Sequence, residues 1–297
     1  MVSAHAQDTV ATALHELRGK LPPSESRVAR ILLDGYPVAG IGTLAELAER
    51  ARVSGPTVLR LVNRLGFAAF GDFQRALRAD VEARLATTAS SIPAEPPAPD
   101  EHLVSTLLHE VAQSISADAR SVVSSEVDEV VELLAIRSRY VTTMGGWLTQ
   151  VFAQYFFTQL QLMRPRCRCV GSSVSSGSSE LADLGRRDTL VVFDSRPYAI
   201  ATEQLCTWVR RRGVRIVLFT DAWLSPVSKQ ASHVLVARSA SASAFDSYAP
   251  MFALVEAILA AAATQLGESA RCRMAQAEAL LEGWTWQPDD HLGNERR

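Results

Sequence analysis

The hydrophobic positions in the first part of the chain recur at helical spacing. Val28, Ile31 and Leu32 fall at i, i+3 and i+4, which places them on one face of an α-helix. Ser24 follows two prolines and is predicted to cap the start of this helix, and Gly35 is predicted to end it. The pattern therefore predicts an amphipathic helix that turns one apolar side toward a core.

A second and a third helix follow after short breaks. Thr43 and Glu46 have the T-x-x-E spacing of a capping box, in which each side chain satisfies a free backbone N–H of the first turn. The break falls at residues 52–53, Ser54 is predicted to cap the third helix, and Gly66 is predicted to end it. The inward positions of the two helices are Leu44, Leu47, Ala48, Ala51, Val58, Leu61, Val62 and Leu65. Two short helices joined by a tight turn are typical of a helix-turn-helix.

The outward face of the third helix has polar side chains suited to DNA. The residues left outside are Ser54, Thr57, Arg60, Asn63 and Arg64. Arginine suits guanine and asparagine suits adenine, so these five are the predicted DNA-binding residues. Between residues 50 and 84 the chain has seven arginines against three acidic residues, a local positive patch. The alternative is a small helical bundle for dimerisation or docking, and the polar, basic face favours DNA.

Short β-prone runs alternate with helical stretches in the second half of the chain. The predicted strands are residues 139–143, 167–170, 189–194, 215–220 and 233–237. The clearest helical stretches between them are residues 148–163 and 199–212. This alternation predicts an α/β doubly wound parallel sheet, in which ligands bind outside the carboxyl ends of the strands. The predicted fold is therefore multidomain, an all-α helix-turn-helix domain followed by this α/β domain.

A proline-rich stretch separates the two parts. Residues 86–100 read ATTASSIPAEPPAPD, and their four prolines cannot continue a helix, so this is a predicted linker. It divides the chain into a DNA-binding domain at residues 1–85 and an α/β domain with flanking helices at residues 101–285. Residues 286–297 are predicted to form a flexible tail.

The composition narrows the class of protein. The chain has 297 residues, is 47% hydrophobic and 21% charged, and has a net charge of −2, as ordinary soluble proteins do. It has no signal-peptide pattern and no apolar run of about 18 residues, so a cytoplasmic location without membrane contact is expected. The four cysteines and six histidines lack metal-ligand spacing. Cys167 and Cys169, on one predicted strand, are therefore expected to be buried small hydrophobes, and neither a metal nor a cofactor is expected.

Four motifs within residues 21–78 point to a known family. They are P-S-x-x-R-V-A, L-A-x-x-A, V-S-x-x-T-V-x-R and L-G-F-x-x-F-x-D-F. This segment resembles the N-terminal helix-turn-helix of the MurR/RpiR family of bacterial transcription regulators. The resemblance implies that the third helix is the DNA-recognition helix. Arg52 stands where the family usually has glycine, and a non-glycine residue in the left-handed region costs about 1 kcal/mol.

Residues 120–260 resemble the sugar isomerase (SIS) domain, most clearly in the segment RGVRIVLFTDAWLSPVSKQASHVLV. The resemblance implies a pocket that binds phosphosugars. The family's phosphate loop, S-x-S-G-x-T, follows the third strand, where this chain has Asp194, Ser195, Arg196, Pro197 and Tyr198. The serine pair and the glycine are missing there, and an arginine is present instead.

Loops at the carboxyl ends of the strands supply the predicted ligand-binding residues. These are Gly145, Gly146, Thr149, Ser172, Ser173, Asp194, Ser195, Arg196 and Tyr198. Glycines before a helix allow close approach of an anion to free N–H groups. Residues 171–180, GSSVSSGSSE, follow the second strand and are either a contact to the ligand or a flexible rim.

Arg196 allows two interpretations. As a guanidinium fork in the pocket, it would let carboxylated sugars compete with phosphosugars, because it pairs with either group bidentately. Alternatively it points to solvent or bridges subunits.

The sequence thus favours a ligand-responsive transcription regulator, a homodimer or homotetramer on a double-stranded DNA operator. Its effector would be a phosphosugar or a related anionic carbohydrate. The alternative is a sugar-phosphate isomerase or another enzyme of the SIS fold, which needs a positioned base, usually Glu or His. The pocket loops offer no Glu–His pair, and Glu180 and Glu256 are the nearest candidates for such a base. A non-enzymatic role is therefore expected.

Overall fold

The computed structural model describes most of the chain. The described residues are 9–17, 19–85, 103–171, 178–238 and 246–281. The predicted linker and tail lie outside these ranges, as do Ser172 and Ser173 among the predicted ligand-binding residues.

The N-terminal part consists of helices. They are α1 (Val10–Glu16), α2 (Pro23–Asp34), α3 (Leu44–Ala51), α4 (Gly55–Arg64) and α5 (Phe70–Leu85), with a 3-10 turn at Val38–Gly40. Their apolar faces meet in one core that includes Val28, Leu32, Leu47, Val58, Leu61, Val62, Phe73 and Leu77. The prediction that Ser24 caps α2 is wrong. The helix begins at Pro23, because proline is pre-organised for the first helical position.

The turn between α3 and α4 has the predicted helix-turn-helix form. Both hydrogen bonds of the capping box between Thr43 and Glu46 are present. Arg52 lies in the left-handed region at φ 51° and ψ 50°, where the family usually has glycine. Gly66, after α4, has φ 91°, and the N–H of Phe67 closes the helix on the carbonyl of Val62.

The C-terminal part is built around a five-stranded parallel sheet. Its strands are β1 (Val141–Gly145), β2 (Cys167–Cys169), β3 (Thr189–Asp194), β4 (Arg215–Thr220) and β5 (His233–Val236), in the order β2-β1-β3-β4-β5. The α/β doubly wound class is confirmed. Strands β3 and β4 have the predicted bounds, whereas β1 begins and ends two residues later because its ladder extends until Gly145 pairs with Phe193.

Helices cover both faces of the sheet. They are α6 (Leu103–Ser121), α7 (Ser124–Glu132), α8 (Gln150–Met163), α9 (Ser178–Ala182), α10 (Ile200–Arg211), α11 (Ala249–Leu266) and α12 (Glu268–Leu281). One core joins α8 and α11 to the sheet through a cluster of aromatic rings, including Phe152, Phe156, Phe193 and Phe219. The opposite core joins α10 to the sheet through Cys206 and Val209. The carboxyl ends of the strands therefore open between two packed layers.

Two observations concern the expectations from composition. Helix α11 is long and apolar enough to cross a membrane by length and composition alone, and its Val255, Ile258 and Ala262 are buried against the domain core. Cys167 and Cys169 are only partly buried, so the expectation that they are buried is wrong, whereas Cys206 is buried and Cys272 is exposed on α12.

Candidate functional site

The outward face of α4 presents most of the predicted DNA-binding residues. Ser54, Arg60, Asn63 and Arg64 are exposed. Thr57 is buried at 4% exposure, so its placement on the outer face is wrong. It precedes the inward-facing Val58 and lies at the edge of the apolar stripe. Its hydroxyl accepts a hydrogen bond from Nη2 of Arg60 at 2.8 Å, and thus orients an arginine from below.

A buried carboxylate holds both arginines. Glu25 of α2 is 3% exposed and accepts a hydrogen bond from Nε of Arg64 at 3.0 Å. Nε of Arg60 lies 3.8 Å from the other oxygen of Glu25. The arginine side chains stay 58% and 47% exposed. Glu25 therefore fixes the Nε side of each guanidinium group, while the rest of the group is open to solvent. A side chain held in this way is pre-organised for contact with DNA.

Ser54 is the N-cap residue of α4, as predicted, but its side chain makes no capping hydrogen bond. Its Oγ lies 3.1 Å from Oγ1 of Thr57 instead, and Ser54 remains exposed beside the arginines.

The loop after β1 is closed on itself. The N–H of Gly145 donates to Oε1 of Gln150 at 3.1 Å, and the N–H of Gly146 donates to Oγ1 of Thr149 at 2.8 Å. Thr149 is 2% exposed and donates to the carbonyl of Phe193 at 2.6 Å. A Cβ on Gly145 would lie 2.5 Å from the carbonyl carbon and oxygen of Thr149. Gly145, Gly146 and Thr149 thus lie at the predicted edge, with both glycine N–H groups used inside the loop and the Thr149 hydroxyl bonded to β3.

Asp194, at the end of β3, is a buried carboxyl group. It is 2% exposed and accepts a hydrogen bond from the hydroxyl of Ser225. Burial raises the pKa of Asp194 to about 7, the charges of Asp221 and Glu203 add to the rise, and the bond from Ser225 opposes it. Near neutral pH, this group exists as a mixture of acid and carboxylate.

Asp221, at the end of β4, joins the loops after β3 and β4. Its carboxylate accepts hydrogen bonds from the N–H of Arg196 at 2.8 Å, the N–H of Trp223 at 3.1 Å and the hydroxyl of Tyr198. Burial raises the pKa of Asp221, and these donors lower it. Asp221 therefore sets the shape of the site, although it was not among the predicted site residues.

Arg196 lies inside this group rather than in solvent. Its side chain is 16% exposed. The guanidinium carbon lies 3.4 Å from the ring centroid of Trp223, a cation–π contact. Nη2 lies 3.3 Å from Oδ1 and 3.2 Å from Oδ2 of Asp246, in the loop before α11. Trp223 and Asp246 were missed by sequence reasoning. The only signal for Trp223 was its place two residues after the aspartate that ends a strand.

Two neutral buried donors at this edge have no hydrogen-bond partner among the described residues. They are Oγ of Ser195 and Nε1 of Trp223, on residues that are 6% and 7% exposed. Buried polar groups are usually satisfied. Unsatisfied donors beside an arginine are a feature of a site that receives an acceptor group.

Helix α1 lies between the two domains. Its Ala11 is buried in the core on the α10 side of the sheet, while Val10 and Leu14 are buried in the core of the helical domain. The hydroxyl groups of Thr9 and Thr12 both donate to the carbonyl of Ala222, that of Thr12 at 3.0 Å. Ala222 lies between Asp221 and Trp223, so α1 is bonded to a loop of the site.

On the side of the helical domain, helix α1 is bonded to Asp80 of α5. It accepts hydrogen bonds from the N–H of Val10 at 3.2 Å and from the hydroxyl of Tyr36. Burial, with the charge of Asp80, raises the pKa of Tyr36, so this hydroxyl stays protonated as a donor. A continuous set of hydrogen bonds, buried at Ala222 and partly buried at Asp80, thus joins the loop after β4 to the helical domain.

Two family models match the chain. One is described as a helix-turn-helix domain of the rpiR family and matches residues 9–84, and the other is described as a SIS domain and matches residues 135–261. No curated protein matches the sequence significantly.

Solved structures share the fold at low identity. The sugar isomerase domain of an RpiR transcription factor from Sphaerobacter thermophilus is 21% identical, with a TM-score of 0.57 over 60% of this chain and 99% of that one. The NanR protein of Vibrio vulnificus, complexed with ManNAc-6P, is 15% identical, with a TM-score of 0.54 over 92% of this chain and 100% of that one.

Proposed function

We propose that this chain, which matches the rpiR-family helix-turn-helix model over residues 9–84 and the SIS model over residues 135–261, is a ligand-responsive transcription regulator of the rpiR family. It binds a double-stranded DNA operator through α4. Its SIS domain binds a phosphosugar or a related anionic carbohydrate at the carboxyl edge of the sheet. We place it in the cytoplasm, where its DNA and such metabolites occur.

The observation that supports DNA binding most directly is the pair Arg60 and Arg64 on α4. Both are half exposed, and both are held from below by the buried Glu25. Asn63 is exposed between them. Arginine and asparagine on one outward helix face can read guanine and adenine in the major groove.

The effector class has two supports. The NanR structure, which shares the fold over most of this chain, contains ManNAc-6P. In this chain, Arg196 supplies a positive group and Ser195 and Trp223 supply donors at the same edge of the sheet. We assign no catalytic step to this edge. Glu256 accepts a hydrogen bond from Tyr155 on the helical layer, and Glu180 is bonded to Ser179, so neither carboxylate is placed as an isomerase base.

A two-fold symmetric operator tests the proposal. One helix-turn-helix reads few base pairs, so we expect a homodimer or homotetramer on two half-sites, separated by about 10 base pairs or a multiple. Selection of binding sequences from random duplex DNA with the full chain gives the site, and sedimentation of the complex gives the subunit count. A stable monomer bound one-to-one to a single half-site would contradict the proposed assembly, and failure to select any sequence would contradict the function.

Helix α1 is expected to transmit the effector signal. In the double variant Thr9→Val and Thr12→Val, the carbonyl of Ala222 loses both hydroxyl donors. Effector binding should persist, while the effector-dependent change in operator affinity, typically about 5- to 150-fold in coupled systems, should fall toward onefold. Operator titrations by fluorescence anisotropy, with and without the effector found by thermal-shift screening, measure this.

The matched control is Thr158→Val with Thr264→Val. Both hydroxyls bond within their own helices, to Gln154 and Ala260. This variant should keep the wild-type effector response. An undiminished response in the α1 variant would show that the signal takes another route.

A further inference from the structure

The guanidinium of Arg196 already holds a carboxylate. Nη2 lies 3.2 and 3.3 Å from the two oxygens of Asp246, and the guanidinium carbon lies 3.4 Å from the ring centroid of Trp223. Asp246 lies in the connection between β5 and α11, and its side chain is 34% exposed. An internal carboxylate therefore occupies the position where an anionic effector would meet Arg196.

We propose that Asp246 is an internal stand-in for the effector, and that the anionic group of the effector is a carboxylate, as in a sugar acid, which replaces Asp246 on Arg196. The proposal rests on the proposed effector site and names its ligand class.

The available donors favour a carboxylate over a phosphate. Phosphate sites use several free backbone N–H groups. Here the N–H groups of Gly145, Gly146 and Arg196 are bonded to Gln150, Thr149 and Asp221, and Pro197 has no N–H. Among the described donors at this edge, the charged one is the guanidinium fork of Arg196, which pairs with the two oxygens of a carboxylate.

The charge balance gives the same result. Asp221 is 1% exposed and its carboxylate lies 3.9 Å from Nε of Arg196. Replacing Asp246 by the carboxylate of a ligand leaves the net charge beside Arg196 unchanged. A phosphate dianion adds a second negative charge near Asp221 and Asp194, and like charges in a partly buried site repel strongly.

The two unsatisfied donors, Oγ of Ser195 and Nε1 of Trp223, complete the proposed carboxylate site at Arg196. Nε1 of Trp223 lies on the ring that stacks on Arg196, and Ser195 precedes Arg196 in the chain. A sugar acid has a carboxylate and a neighbouring hydroxyl, both able to accept these hydrogen bonds. Satisfying buried donors contributes to affinity because leaving them unpaired is costly.

The experiment removes the Asp246 carboxylate from Arg196 and compares the binding of two small ligands with similar three-carbon skeletons. Asp246→Ala and wild-type full chains are titrated by calorimetry with D-glycerate, a carboxylate, and with glycerol 3-phosphate. We expect Asp246→Ala to bind D-glycerate about tenfold more tightly than wild type does, the effect of removing one competing charged contact. Glycerol 3-phosphate should remain the weaker ligand of both proteins, because its dianion still meets Asp221. Arg196→Gln in the Asp246→Ala background should abolish the gain for D-glycerate.

Asp183→Ala is the matched control. It removes the same charge from an exposed position on the short connection after α9, and should leave both affinities at wild-type values. Asp246→Asn, which keeps the size of the side chain, should show a smaller gain in the same direction and guards against a local change of fold.

Two results would overturn the proposal. Tighter binding of glycerol 3-phosphate than of D-glycerate by Asp246→Ala would show that the site at Arg196 prefers phosphate. No gain for either ligand would show that Asp246 is only structural. Both results leave operator binding untouched, and selection of an operator by the wild-type chain tests the regulator function separately.

Discussion

Replacing Arg60 and Arg64 together by glutamine is expected to weaken operator binding by about 2–4 kcal/mol, or roughly 30- to 1,000-fold. Each arginine is placed on the outer face of α4 to make a base-edge or phosphate contact. Glutamine removes the charge but retains an amide N–H that can donate to Glu25, which is only 3% exposed. Alanine would leave this buried carboxylate without either partner and confuse lost binding with lost stability.

The measurement is a titration of the selected operator at several salt concentrations. If the arginines contact phosphates, the slope of log affinity against log salt should fall by about one for each. If they contact bases, discrimination between operator and mutated operator should fall instead. The control is Arg210→Gln with Arg211→Gln, which removes the same charge from exposed positions at the end of α10. An unchanged affinity in the α4 variant would mean that α4 is not the recognition helix.

Asp118→Ala is expected to destabilise the SIS domain by about 3–5 kcal/mol, because it leaves a buried arginine without its main partner. Arg238, after β5, is 4% exposed. Asp118 of α6 accepts its backbone N–H at 3.0 Å and its Nη1 at 2.6 Å. Nη2 of Arg238 also lies 3.5 Å from Glu16 of α1. The pair therefore attaches α6 to the sheet beside the contact with α1.

Urea unfolding at neutral pH measures this loss. Glu16→Ala removes the more exposed partner, whose side chain is 38% exposed, and should cost about 1 kcal/mol or less. Asp118→Asn keeps one acceptor oxygen and should fall between the two. If Asp118→Ala and Glu16→Ala unfold at the same urea concentration, the buried pair has no special role in stability.

Much of the local structure was determined by short-range chemistry and could be predicted from the sequence. The capping box of Thr43 and Glu46 satisfies backbone groups within one turn. The strands β3 and β4 have the predicted bounds because continuous runs of Val, Leu, Ile and Phe suit a sheet buried on both faces. The motifs of the helix-turn-helix rest on the same local spacing, and the rpiR match over residues 9–84 agrees with them.

Two errors arose where neighbours decided the outcome. Thr57 was placed outside because only the apolar positions of α4 were assigned to the core, yet its position at the edge of the apolar stripe buries it beneath Arg60. Ser24 was predicted as a cap, but Pro23 had already started the helix. In both cases the residue type is compatible with two positions, and the sequence pattern does not include the packing that selects one of them.

The arrangement of the effector edge was decided by the tertiary structure alone. Arg196, Asp221, Trp223 and Asp246 come from three loops that follow β3, β4 and β5. Parallel strands bring their carboxyl ends to one edge, so residues 25 or 50 positions apart meet there. The sequence determined the elements and the likeness to known motifs, since these depend on residues within a few positions. Which charges are paired, which donors stay unsatisfied and how α1 bonds to Ala222 depend on contacts between distant residues, and only packing in three dimensions sets those contacts.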